Sequence, residues 1–128
     1  MRCLSLKQPF ADMVVDGKKT IELRKWNTHF RGRFIVHASG TVDRYACSVL
    51  GIDPESLIKK AAIGEATLVD VKKYENLKEF EEDREKHRAT DDYRNSVYGF
   101  ILKAARRFRK PVAMKGRLGF FETDIRVP

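Results

Sequence analysis

The chain is 128 residues long, 42% hydrophobic and 10% aromatic, and its 26 Lys and Arg against 18 Asp and Glu give a formal net charge of +8. A chain of that length buries roughly two thirds of its unfolded surface, enough for one core without staples, so a single domain over residues 1–128 is expected. No apolar run approaches the ~20 residues that span a bilayer and no signal-peptide core follows Met1, which leaves a reduced, cytoplasmic setting, away from membranes, as the expectation.

In chain order, "RCLSLK" (residues 2–7) alternates as a short strand does. Gln8 and Pro9 then open a helix in which Phe10, Met13 and Val14 fall at i, i+3, i+4, and Gly17 stands where a left-handed C-terminal cap belongs. "TIELRKW" (20–26) alternates again, with Ile21 and Leu23 on one side, Glu22 and Arg24 on the other, and Trp26 continuing the polar register. A third strand lies within residues 31–40, through Phe34, Val36 and Ala38 or their alternates. Residues 41–51 and 53–62 read as two short helices, the second capped by Asp53 with Pro54 in its first turn. A long strand follows over 63–75, then a charged surface helix over 76–88 with Leu77 and Phe80 turned inward, a fifth strand over 96–108 and a sixth over 116–125. Six strands with helices inserted early predict an α+β domain whose sheet curls into a β-barrel flanked by short helices.

The net charge favours a polyanionic partner, with nucleic acid the commonest, although cations also serve plain solubility. Cys3 and Cys47 form no CxxC pair and no disulfide framework, so both read as small buried residues. His29, His37 and His87 are scattered, and no zinc spacing, phosphate-binding Gly-rich loop or nucleophile elbow occurs, so neither metal nor cofactor is expected.

Charge of both signs is concentrated in "GKKTIELR". Glu22 and Arg24, i and i+2 on a strand, share a face. If Lys19 joins them at a cleft, Arg24 offers a fork of donors for phosphate or carboxylate. Glu22 could accept from a nucleobase amino group or take a proton from water. Lys19 could bind an anion, or act as base or nucleophile if burial lowered its pKa. The plain alternative is that Glu22 and Arg24 pair on an exposed strand. His37 and Ser39 share a face of the third strand, and Ser5 and Lys7 a face of the first, so all four are candidates to complete a cleft. A lone strand histidine such as His37 is more often a partly buried structural residue than a ligand contact. Gln8 is a candidate anion contact or a helix cap; Trp26 is a candidate stacking ring, whereas Phe10 reads as core. Between residues 103 and 117, Lys103, Arg106, Arg107, Arg109, Lys110, Lys115 and Arg117 occur with no acidic residue, a candidate phosphate-tracking surface or else a solvated basic hairpin.

"LSLKQPFADMVVDGKKTIELR" followed by "RGRFIVHAS" resembles the ASCH family, a branch of the PUA-like fold, whose G-x-K-x-x-E-x-R signature is met by Gly17, Lys19, Glu22 and Arg24. "IGEATLVDV" and the closing "KGRLGFF" extend the resemblance over most of the chain. It implies a small β-barrel with a cleft lined by the signature's charged residues, and an RNA-binding role. With the net charge and the acid-free basic run, the expectation is a monomeric domain that captures an RNA nucleotide or base in that cleft. It also implies an alternative, since some members of the family act as enzymes: an amidohydrolase that deacetylates N4-acetylcytidine, and a ribonuclease. The amidohydrolase uses a lysine, a threonine and a glutamate. Lys19 matches the lysine, Glu22 stands in the place of the threonine, and the glutamate falls around residues 79–85. Read as an enzyme, the chain would use Lys19 as base or nucleophile and Glu22 as proton carrier.

Overall fold

The computed structural model describes residues 1–91, 93 and 97–126. Its elements are β1 (Arg2–Gln8), α1 (Phe10–Val15), β2 (Ile21–Arg24), β3 (Gly32–Val42), α2 (Arg44–Leu50), a short 3-10 turn (Pro54–Ser56), β4 (Ala61–Tyr74), α3 (Leu77–Glu82), α4 (Arg84–His87), β5 (Val97–Ala113) and β6 (Phe120–Glu122). One six-stranded sheet runs in the order β2-β5-β4-β3-β1-β6. Every neighbouring pair is antiparallel except β1 and β3, whose parallel pairing uses α1 and β2 as the crossover.

The expected barrel does not close. β6 has only three residues and pairs with Arg2, Cys3 and Leu4, so the edge of β1 is without a strand partner from Ser5 onward among the described residues. β2 forms the other edge. Side chains bridge the two: Trp26, just beyond β2, meets Phe100 and Phe120 edge-on at centroid distances of 5.2 and 6.0 Å, and Arg24 Nη2 donates to the Ser5 carbonyl at 2.9 Å. The sheet is therefore curled and open along one seam, where Ser5 and Lys7 of β1 stand across a cleft from Glu22, Leu23 and Arg24 of β2.

Alternation in the strands fills both faces. Leu4, Leu6, Phe34, Val36, Ile63, Leu68 and Phe100 form the inner core with Ala11, Val14 and Val15 of α1. Each large apolar side chain fully buried there is worth about 1.5–3 kcal/mol. Cys3, Ile35, Ala62 and Phe108 form a second layer on the other face, covered by Met114, Phe121 and Ile125. Burial pushes the Cys3 thiol up to about 12 and raises that of Cys47, as suits packed, unreactive cysteines. β3 is thus buried on both sides from Phe34 to Ala38, so the choice between its two alternating sets had no single answer.

Two helices differ from expectation. Asp53 does cap a turn, accepting from the Glu55 N–H at 3.0 Å, but Leu57 returns to extended backbone and Lys60 has a φ of +56°. The chain enters β4 at Ala61 instead of continuing the helix expected over 53–62. The helix expected over 76–88 breaks at Asp83, whose carboxylate turns inward to accept from Lys72 Nζ and Tyr74 Oη, both at 2.7 Å. Phe80 and His87 are its inward residues, while Leu77 is exposed. The fifth strand extends to Ala113 and so takes in much of the basic run; its expected start at Ser96 lies outside the described residues.

Candidate functional site

The site begins with the turn after α1. Gly17 has a φ of +77°, a conformation costly for any residue with a Cβ. This lets the Gly17 N–H reach the Val14 carbonyl at 3.0 Å, and the Lys18 and Lys19 N–H groups the Met13 carbonyl at 2.9 and 3.0 Å. The chain reverses, and Lys19 is directed inward. Thr20 then fixes the direction, its N–H bonded to the Lys86 carbonyl and its carbonyl accepting from the Leu102 N–H, both at 2.9 Å.

Lys19 is 3% exposed. Its ammonium donates to the His87 carbonyl, lies 3.5 Å from Glu22 Oε1 and sits 5.3 Å from the centre of the Phe10 ring. Burial is the main influence and lowers its pKa; Glu22 acts in the opposite direction, and the Arg24 charge adds to the lowering. Glu22, also buried, accepts from Arg24 Nε at 3.1 Å and lies 3.0 Å from Arg24 Nη2. Lys19, Glu22 and Arg24 therefore form one ionic chain, with the carboxylate between two cations. Arg24 is less free than its sequence suggests: two of its nitrogens serve Glu22 and Ser5, leaving Nη1 without a partner among the described residues. The guanidinium carbon lies 5.9 Å from the Trp26 ring centre.

His87 supports Lys19 from below. Its Nε2 donates to the Phe80 carbonyl at 2.8 Å and its Nδ1 accepts from the Ala89 N–H at 3.0 Å. A carbonyl can only accept and an amide N–H can only donate, so the ring is the neutral Nε2–H tautomer. Burial, with Lys19 and Arg84 nearby, lowers its pKa.

Lys19, Glu22 and Arg24 line a cleft of about 610 Å³, within the usual range for small-molecule sites. Lys7, Lys19, Glu22, Arg24, Trp26 and Ser39, all candidates from the sequence, meet there, as does Ser5. Phe10, expected in the core, is half-buried and forms part of the wall. Lys25, Thr41, Asp43, Phe80 and Asp91 also line it. Nothing local in the sequence marks Thr41 and Asp43; they arrive because β3 ends beside β1, and Asp43 caps α2 by accepting from the Ala46 N–H at 2.9 Å. Charge in the wall is mixed, with cations Lys7, Lys19, Arg24 and Lys25 against Glu22, Asp43 and Asp91. No carboxylate from residues 79–85 lines the cleft.

The other candidates lie elsewhere. Gln8 is fully buried and is a helix cap, its Oε1 accepting from the Asp12 N–H at 3.0 Å while Nε2 donates to Asp12 and to the Ile58 carbonyl. His37 is buried with both ring nitrogens engaged, Nδ1 with Ser5 Oγ at 2.9 Å and Nε2 with the Met114 carbonyl at 2.8 Å. Arg106 is held by Glu65 at 2.9 Å, and Arg107 grips Asp16 through two bonds of 2.9 and 3.1 Å with Asp12 nearby. Arg109 and Lys115 are exposed, outside the cleft wall. Among the described residues no cluster of His, Cys, Asp and Glu could hold a metal ion, and no helix is long and apolar enough to cross a membrane.

A curled six-stranded α+β sheet with a charged cleft along its open seam defines a PUA-like domain. The profile of the ASCH domain matches residues 4–112, and the protein belongs to that family. Its structure is similar to that of ASCH from Zymomonas mobilis, with a TM-score of 0.65 at 19% identity over 88% of this chain and 72% of that one. Two point variants of the Zymomonas protein match at TM-scores of 0.65 and 0.63, again at 19% identity and 88% of this chain, covering 73% and 74% of theirs. No curated protein matches the chain.

Proposed function

We propose that this ASCH domain binds RNA by capturing one nucleotide in the cleft between β1 and β2. The observation that carries the reading is the composition of the wall: exposed Lys7 and Lys25 at the rim, the rings of Phe10 and Trp26 on the sides, and the Glu22–Arg24 pair between them. Cations at the rim suit phosphate, aromatic faces suit a base, and a carboxylate held by arginine can accept from a base amino group while the arginine's remaining N–H donates. The Lys19–Glu22–Arg24 chain holds that reading edge rigid, so little side-chain entropy is lost on binding. Calorimetric titration with adenosine, cytidine, guanosine and uridine 5′-monophosphates tests it. At least one nucleotide binds the parent protein, and Lys7→Ala/Lys25→Ala binds it more weakly. Equal heats for parent and variant, or none for any nucleotide, would refute the reading.

A second reading draws support from the buried Lys19, whose lowered pKa favours a neutral amine. In an amidohydrolase acting on N4-acetylcytidine or a related nucleoside, Lys19 would serve as base or nucleophile and Glu22 as proton carrier. N4-acetylcytidine incubated with the protein should then yield cytidine by chromatography, and Lys19→Met should abolish the product. The capture reading is favoured because Lys19 is already engaged by the His87 carbonyl and Glu22, which suits a structural ammonium.

A further inference from the structure

One ionisable ring is buried directly behind the cleft wall without lining it. His87 ends α4 and is fully enclosed. Around it, residues 18–20 and 86–88 run in opposite directions and are tied at three successive positions. The Lys86 carbonyl accepts from the Thr20 N–H at 2.9 Å, the His87 carbonyl from the Lys19 ammonium, and the Lys18 carbonyl from Arg88 Nε at 3.2 Å. Lys19, Phe80, Ala89 and Asp91 all line the cleft. The end of α4 is therefore the backing of that wall.

Arg88 leaves α4 with a φ of +60°, a conformation disfavoured for a residue with a Cβ. The turn brings the Ala89 N–H onto His87 Nδ1 at 3.0 Å, while Nε2 donates to the Phe80 carbonyl at 2.8 Å. The ring thus ties α3 to the segment that enters the wall, and it can do so only when neutral. With a second proton it has two donors and no acceptor. Nδ1–H would then face the Ala89 N–H in an enclosed space, where an unmet donor is costly. Arg84 Nη1 donates to the Ala89 and Asp91 carbonyls at 2.7 and 3.2 Å, and that support does not change with pH. The other groups around the ring do not reproduce its titration between pH 7.5 and 5. Glu81 of α3 is held low by its bond from Arg84, and Asp83 of α4 is held low by Lys72 and Tyr74 against its burial, so both stay charged. Tyr74 of β4, raised by burial and by Asp83, stays neutral. Lys19, from the turn after α1, can only gain a proton as pH falls.

We propose that His87 is a positioning residue that makes the cleft pH-responsive: the neutral ring keeps the Lys19 clamp and the wall at Ala89 in the binding geometry, and the protonated ring releases both. This rests on the nucleotide-capture reading and adds its regulation. The direction of the effect separates it from plain electrostatics. A new positive charge behind the wall would by itself draw RNA in more strongly as pH falls, whereas release of the wall weakens binding. One proton is exchanged against one ligand, so affinity drops by up to about tenfold per pH unit below the ring's midpoint. By the same linkage, bound ligand moves that midpoint to lower pH.

The test combines nitrogen-15 NMR of the His87 ring and the Ala89 amide with calorimetry, both on the folded protein between pH 7.5 and 5. The ligands are the dinucleotides ApA, CpC, GpG and UpU, whose phosphodiester keeps its charge throughout. In the parent, the ring starts as the Nε2–H tautomer and gains a proton, the Ala89 amide shifts at the same midpoint, and affinity falls with it. Saturating dinucleotide moves that midpoint to lower pH. His87→Gln offers an amide donor and acceptor that do not titrate, and its affinity stays level over the interval. A ring still neutral at pH 5, an Ala89 amide that does not follow the ring, or a midpoint unmoved by ligand overturns the proposal. So does a fall in affinity that is the same in parent and His87→Gln. If the parent binds a dinucleotide with an affinity independent of pH, the regulation falls alone and the cleft reading stands. If it binds none at any pH, both fall.

Discussion

Glu22 is buried between Lys19 and Arg24, which makes the consequences of removing each partner unequal. Glu22→Gln leaves two cations facing each other with the carboxylate gone and Lys19 still enclosed. Breaking a buried pair this way costs about 3 kcal/mol, and urea denaturation should show a loss of that order. Lys19→Met leaves Glu22 paired with Arg24 and puts an unbranched apolar chain in the space, so its loss should be smaller than that of Glu22→Gln. His87 adds a pH dependence. Burial chiefly, with Lys19 and Arg84, lowers its folded pKa; the unfolded residue takes up a proton near pH 6.5, the folded one only below that. In that interval the unfolded state binds more protons, so the His87 contribution is complete above about pH 6.5 and is lost as pH falls toward the folded value. Stability measured from pH 7.5 to 5 should fall, and His87→Gln should flatten that slope. Asp83, held down by Lys72 and Tyr74 against the raising effect of its burial, contributes its own loss only at lower pH, below about 4.

At the level of elements, α1 sets the direction of Lys19, and its seat on the sheet is Gly64. A Cβ there would lie 2.4 Å from the Arg106 carbonyl oxygen and 2.5 Å from Val15 Cγ1. Gly64→Ala must push α1 off β4 or distort β5, and a loss of about 2 kcal/mol with weakened nucleotide binding is expected. Arg107, although it grips Asp16 from β5, is partly exposed, so Arg107→Ala should cost under about 1 kcal/mol. The signature was legible because the cap and strand periods are local: Gly17, Lys19, Glu22 and Arg24 stand in fixed order on one turn and one strand. Where these elements meet the rest of the sheet was not. Asp53 and Pro54 gave a true helix start, but a cap does not state how many turns follow it. The charge pattern of residues 76–88 did not disclose that Asp83 is claimed by Lys72 and Tyr74. Gln8 and His37 read as polar candidates because a sequence shows the donor and not the buried partner that satisfies it.

Over the whole molecule, a net charge of +8 does not say which cations are available to a ligand. The acid-free run from 103 to 117 divides in the structure: Arg106 is neutralised by Glu65 of the neighbouring strand and Arg107 by Asp16 at the end of α1, whereas exposed Lys115 and Arg117 make no ion pair among the described residues. RNA affinity should therefore fall with salt. Lys115→Ala/Arg117→Ala should reduce the slope of log K against log salt by about 1.4, on a contribution near 0.7 per phosphate contact for single strands. Arg106→Ala/Arg107→Ala should change it far less. The barrel expected from six strands stays open because β6 ends after three residues, and strand length, unlike strand existence, is set by what the last residues pack against. That gap creates the cleft, and its wall holds the chain's one tryptophan, which makes the decisive measurement direct. Titration of Trp26 fluorescence, excited at the red edge where bases absorb little, with a short RNA should give a saturable change at the concentration where binding is seen by an independent method, and the change should weaken in Lys7→Ala/Lys25→Ala. RNA that binds while leaving Trp26 fluorescence unaltered would mean that the cleft between β1 and β2 is not where the nucleotide goes.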